Sequence, residues 1–216
     1  MKIIIFGAGQ IGNMVASILL EQNHSILGFV DDQQNGSISS STKMPLLGPR
    51  EYLKSNVDYD AVCIGIGTIE ARAAVSDWLE QNDIPTVSAI HLSAVISPEV
   101  TLGKNLIIGA NSTLYVNPKI GNGCFIGPSV TVSHDTNVGE FCLLSVGSVI
   151  GARCDLNEKV FVGSAATIMP TGFGAQSRLS VGSCAVIGVG STVISDVAAG
   201  VTVVGTPAKP LVKKTN

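Results

Sequence analysis

Two stretches of this 216-residue chain carry residue types whose order could do chemistry. The first is Ser133-His134-Asp135. An unperturbed imidazole titrates near pH 6.5. A neighbouring carboxylate raises that value and favours proton acceptance, so His134 is a candidate general base with Asp135 as its partner. The plain alternative is an exposed histidine at a turn. The second stretch is Gly7-Ala8-Gly9-Gln10-Ile11-Gly12. It follows the apolar run Ile3-Ile4-Ile5-Phe6 and precedes a helix-period pattern through Met14, Val15, Ile18 and Leu19. Glycines at this spacing permit a tight strand-to-helix turn, and the helix N-terminus offers free amides to phosphate. Asp31 and Asp32 follow Gly12 by nineteen and twenty residues, where carboxylates take ribose hydroxyls. Gly67, just past a third strand, belongs to the same candidate ligand site. The alternative is a tight turn flanked by solvated aspartates.

The elements that must position these residues differ in kind. From Ile96 to Ile168 every sixth residue is aliphatic, thirteen of thirteen, and Gly often follows it. Neither a helix nor an isolated strand has that period; it marks a parallel β-helix of hexapeptides with three flat sides per turn and eighteen residues per coil. The glycines are expected at tight corners with φ > 0. The phase slips between Ile168 and Val181 by one residue beyond two periods, predicting a loop near Thr171–Arg178. Ala152 lies one coil from His134, about 4.8 Å along the axis, where its main-chain N–H could polarise a carbonyl.

Residues 1–90 read instead as a small Rossmann-like α/β domain with a parallel sheet, and 91–216 as the coil. The first domain's expected strands are Lys2–Phe6, Ser25–Val30, Ala61–Ile66 and Pro85–Ser88. Met44–Gly48 reads as a loop, Pro49–Ser55 as a short helix and Glu70–Gln81 as a helix. Four strands supply about half of a dinucleotide fold, so a nucleoside diphosphate fits better than NAD.

Composition removes other classes. A net charge of −3 gives no electrostatic case for nucleic acid or an anionic membrane. There is no apolar run of membrane-spanning length, and the strand-like opening predicts no leader, so a cytoplasmic protein is the expectation. Five cysteines without a CxxC, and three histidines, read as core thiols with no metal site.

Taken in order, Gly7-Ala8-Gly9, Asp31-Asp32, Pro45-Leu46-Leu47-Gly48, Ser93–Pro98, Ser133-His134-Asp135 and Val204-Gly205-Thr206-Pro207-Ala208-Lys209 resemble the bacterial sugar O/N-acyltransferases. Those proteins join an N-terminal nucleotide-sugar domain to a C-terminal left-handed β-helix. The resemblance implies transfer of acetyl from acetyl-CoA to the amino group of a nucleotide-linked sugar, a UDP-amino sugar first. It also implies a homotrimer and a place in surface polysaccharide biosynthesis. His134 matches the base and Asp135 its orienting acid; Gly7, Gly9, Gln10, Ile11, Asp31, Asp32 and Gly67 match nucleotide-sugar positions. Leu143, Ala152, Ser164, Val189, Gly190 and Lys209 match positions lining CoA. O-acetylation of a sugar hydroxyl, a non-catalytic nucleotide-binding trimer and an NAD-dependent oxidoreductase stand as alternatives.

Overall fold

A computed structural model of the chain describes residues 1–33, 44–55, 58–169 and 178–211. The chain forms two compact units, Met1–Leu92 with Lys104–Ile107, and Ser93–Gly103 with Ile108–Asn216.

In the first unit the unbroken apolar run builds β1 (Lys2–Phe6), a central strand buried on both faces. α1 (Gln10–Glu21), β2 (Ser25–Val30), β3 (Leu46–Gly48), a 3₁₀ turn at Arg50–Lys54, β4 (Ala61–Ile64) and α2 (Ile69–Gln81) follow. The four strands are parallel in the order β3-β2-β1-β4. Ile4, Phe6, Val30, Leu53, Val62, Ile64, Val75 and Leu79 close one core between sheet and helix. Two elements differ from the sequence reading. Leu46–Gly48, expected as loop, is the edge strand: the Phe29 N–H donates to Pro45 O and the Asp31 N–H to Gly48 O. Pro85–Ser88, expected as a strand, makes only the bridge Val62↔Thr86, because Pro85 has no N–H to continue a ladder.

The second unit is a parallel β-helix of short rungs. Each rung pairs with the one eighteen residues on, as in Lys119↔Asn137, Phe125↔Leu143 and Thr131↔Val149. The period-six aliphatics from Ile108 to Ile168 all point inward and are at most 3% exposed. A second inward column holds small residues. Four of its members bond the chain fifteen residues ahead: Ser112 to Gly127 O, Cys124 to Gly139 O, Thr136 to Gly151 O and Cys142 to Asn157 O. A hydroxyl or thiol is thereby tolerated in the core, since a buried donor costs little once paired.

The corners correct the sequence reading. Positive φ recurs every six residues from Asn105 to Ala165, through Asn111, Asn117, Gly123, Ser129, Asp135, Phe141, Gly147, Arg153 and Lys159. These positions lie three residues after the inward aliphatic, not one. The glycine directly after the aliphatic serves another purpose. A Cβ on Gly109 would lie 2.6 Å from Pro128 N, and one on Gly121 2.7 Å from Glu140 N, so glycine there lets successive coils approach. The slip in phase is also larger than one residue. Cys154 pairs with Leu179 and Ile168 with Val193, so that coil takes twenty-five residues, seven more than the others. Of the expected loop, only Arg178 lies within the described residues.

Candidate active site

In the first unit the glycine run forms a turn of interlocked backbone. Gly7 adopts φ +110, and a Cβ on it would sit 2.7 Å from Gly65 O; one on Gly12 would sit 1.9 Å from Gly7 O. A Cβ on Gly9 would meet no protein atom within 4 Å. It is the N-cap of α1 and carries no side-chain cap bond, so the first turn of the helix keeps free N–H groups. Gly7 and Gly12 thus close the turn, while Gly9 leaves room in front of it. The C-terminal ends of β1 and β4 flank a cleft of about 520 Å³, lined by Gly7, Gly9, Gln10, Ile11, Asp31, Asp32, Arg50 and Gly67 among others. This is where chain order reverses about β1, the usual ligand crevice of a doubly wound sheet. All seven residues expected from the sequence to hold the nucleotide sugar line it.

The two aspartates have separate tasks. Asp31 accepts from the Ala8 N–H at 2.8 Å and from the Gln33 N–H at 2.9 Å, tying β2 to the glycine turn. Asp32 is held by Arg50, whose N–H and Nε donate to the carboxylate at 3.0 and 2.8 Å, with Nη2 adding a third bond. Burial pushes the Asp32 carboxyl up, and the bonds to Arg50 pull it further, below the usual carboxylate range. The Arg50 guanidinium lies 5.7 Å from the Phe6 ring centre and 5.1 Å from that of Trp78. Beneath the cleft, fully buried Arg72 donates to Ile66 O and Gly67 O at 3.1 and 2.9 Å, fixing the loop after β4. Sequence reading missed both arginines. Neither falls in a motif, and their partners lie outside their own elements' patterns.

In the coil, His134 and Asp135 occupy the corner between the Thr131–Val132 and Asn137–Val138 rungs. Their side chains are 42% and 45% exposed, and His134 Nδ1 lies 2.9 Å from Asp135 Oδ2. Bonds from His134 and Asn117 hold the Asp135 carboxyl below its ordinary value. An ionised carboxylate only accepts, so Nδ1 carries a proton, and in the neutral ring Nε2 then keeps a lone pair. His134 O accepts from the Arg153 N–H at 3.0 Å, locking this corner to the Ala152 corner above. The Ala152 N–H has no partner among the described residues, and neither do those of Val116, Glu140 and Val146 at equivalent corner positions. What distinguishes Ala152 is its place one coil on from His134.

The other expected CoA positions lie elsewhere on the coil. Leu143 is on the face of Phe125 and Phe161. Ser164, Val189 and Gly190 share the corner that follows this face, where the Gly190 N–H donates to Ser164 O at 2.9 Å and Val189 is 75% exposed. In a single chain this corner and the His134 corner are opposite edges of the face built by Thr131–Val132, Val149–Ile150 and Thr167–Ile168. Lys209 lines a separate cleft of about 310 Å³ with Asp196 and Val203. Among the described residues no three His, Cys, Asp or Glu side chains converge as a metal site, and no helix is long and apolar enough to cross a membrane.

Residues 2–79 match the PglD N-terminal domain. Over 96% of the chain and 95% of the relative, the sequence is 28% identical to GDP-perosamine N-acetyltransferase of Escherichia coli O157:H7. The fold aligns with a point mutant of GDP-perosamine N-acetyltransferase from Caulobacter crescentus, solved with CoA and GDP-perosamine, at a TM-score of 0.88 and 23% identity. That match covers 99% of this chain and 98% of the other. The acetyltransferase domain of PglB from Neisseria gonorrhoeae aligns at 0.86 and 24% identity, covering 97% and 99%. The chain has the two-part build of the bacterial sugar N-acetyltransferases. Its coil is their left-handed β-helix.

Proposed function

We propose that the protein moves an acetyl group from acetyl-CoA to the amino group of a nucleoside-diphosphate-linked sugar, with His134 as general base. The observation that carries this reading is the His134–Asp135 pair, with the carboxylate on Nδ1, one coil from an Ala152 N–H that has no partner among the described residues. The sugar nitrogen attacks the thioester carbonyl carbon, and its proton passes to Nε2. The Ala152 N–H faces the oxygen on which charge gathers. As the C–S bond breaks, the proton can return from His134 to the departing thiolate, so the imidazole ends neutral. Asp135, held ionised, stabilises the imidazolium between these transfers. The glycine turn of the first unit is suited to a diphosphate, because its helix N-terminus offers N–H groups to negative oxygens.

The opposed corners of the coil support a homotrimer. In one chain the imidazole corner and the Ser164–Val189 corner are separated by a whole face, and threefold packing would bring one copy's imidazole to the next copy's CoA wall. Acetyl-CoA and nucleotide sugars are cytoplasmic metabolites, which supports a cytoplasmic enzyme. Full-length similarity to a GDP-perosamine enzyme puts GDP-perosamine ahead of UDP-linked amino sugars in a substrate panel.

Thiol release from acetyl-CoA, followed over that panel, tests the reading. His134→Ala is expected to lower kcat by about 10²–10⁴ with folding intact. Undiminished turnover would remove the base role, and turnover only with sugars lacking an amine would redirect the activity to a hydroxyl.

A further inference from the structure

Among the described residues of the coil, three asparagine amides donate to an acid one coil on: Asn117 to Asp135 Oδ1 at 2.9 Å, Asn122 to Glu140 at 2.8 Å and Asn137 to Asp155 at 2.6 Å. Asp135 is the acid among these that also meets an imidazole. Its carboxylate is divided between two partners, Oδ1 with Asn117 and Oδ2 with His134 Nδ1. A carboxylate rotates broadly about its last torsion; a donor fixed on one oxygen removes that freedom. The donor is itself fixed, because Asn117 and Asp135 occupy equivalent positive-φ corners of successive coils at φ 62 and 55, and the Asp135 N–H donates to Val116 O at 3.2 Å. The nearby cations do not replace it. Arg178 Nη2 donates to the Asp135 main-chain oxygen while its guanidinium grips Asp155, and Arg153 acts on Asp135 through its charge.

We infer that Asn117 is a positioning residue for the acyl transfer: its amide turns Oδ2 of Asp135 toward Nδ1 and so holds the imidazole in the tautomer whose Nε2 is the base. The inference rests on the reading of His134 as base. Asn117 acts through Asp135 and needs no contact with either substrate.

The test has two readouts. Asn117→Gly deletes the amide at a backbone conformation that glycine adopts without strain, and Asn117→Asp keeps the shape while replacing the donor with an acceptor. Asn122→Ala breaks an equivalent ladder remote from the imidazole. Long-range ¹H–¹⁵N spectra of ¹⁵N-histidine protein, with the His134 signals assigned by their loss in His134→Ala, report the tautomer directly. The wild type is expected to show Nδ1–H. Both Asn117 variants should show mixed tautomers and a kcat lowered about tenfold, the scale seen when a partner orienting a histidine is lost, with KM within twofold. Asn122→Ala should match the wild type in both readouts. A wild-type tautomer in Asn117→Gly, or an equal loss of kcat in Asn122→Ala, would overturn the inference. The spectra decide this independently of the activity, so a failed base role, seen as a fully active His134→Ala, is recognised separately.

Discussion

The glycine turn of the first unit and the His134 corner of the coil both leave main-chain N–H groups without partners among the described residues, but they reach that state differently. The turn is a single steric fit. Gly7 and Gly65 directly follow two strands and Gly12 lies in a helix, and an added Cβ at any of them would meet backbone within 2.7 Å. The corner is one of many: Val116, Glu140, Val146 and Ala152 all present the same bare N–H. In the turn, chemistry is written into the path of the chain. In the coil the path is generic, and chemistry is written by the side chains placed beside it.

Substitutions that separate path from decoration sharpen this contrast. The largest effect is expected at Gly12→Ala, whose new Cβ would overlap the Gly7 carbonyl. Strain of about 3 kcal/mol or more should appear as a sharp fall in Tm or loss of soluble protein. Gly9→Ala is expected to keep the wild-type Tm, because open space surrounds that position, yet to raise KM for the nucleotide sugar. Equal Tm losses in the two variants would break the contrast. In the coil, Thr136→Val keeps the volume but orphans Gly151 O and removes the acceptor of the Cys154 N–H. Denaturant unfolding should show a loss of about 1–3 kcal/mol.

A smaller effect is expected at Asp32. Its folded pKa is depressed, so its stabilising contribution is present above the ordinary carboxylate value near 3.9. That contribution is lost as pH falls through the lowered folded value. Asp32→Asn should therefore lose less stability than the wild type across this acid window, measured by Tm against pH. The smallest effect is expected at Ser148, which stands in the inward column with a buried Oγ that has no partner among the described residues. Ser148→Ala should be neutral or stabilising by about 1 kcal/mol, in contrast to Thr136→Val.

The periodic part of the molecule was the more legible. Every inward aliphatic from Ile108 to Ile168 follows from counting in sixes, and His134 with Ala152 from counting in eighteens. The corners were misplaced because their positive-φ residues are chemically mixed, from Asn111 to Phe141 and Lys159, whereas the conspicuous glycines answer to crowding between coils. Counting in sixes also cannot tell a slip of one from a slip of seven. In the first unit the seven cleft residues were legible through the glycine spacing, the acids after β2 and the glycine past β4. Arg50 and Arg72 were not, because neither falls in a motif and each is defined by a partner outside its own element. Asn117 was hidden for a related reason: its meaning lies in the residue eighteen places on.

The seven additional residues enter between Ile168 and Leu179, at the same edge of the prism as His134 and Ala152, yet the pairing of Asp155 with Ser180 and of Phe161 with Val186 proceeds as if nothing had been added. A stack of this kind quarantines length. Chain length added or trimmed at that edge leaves in register the rows that hold the acid and the imidazole in line.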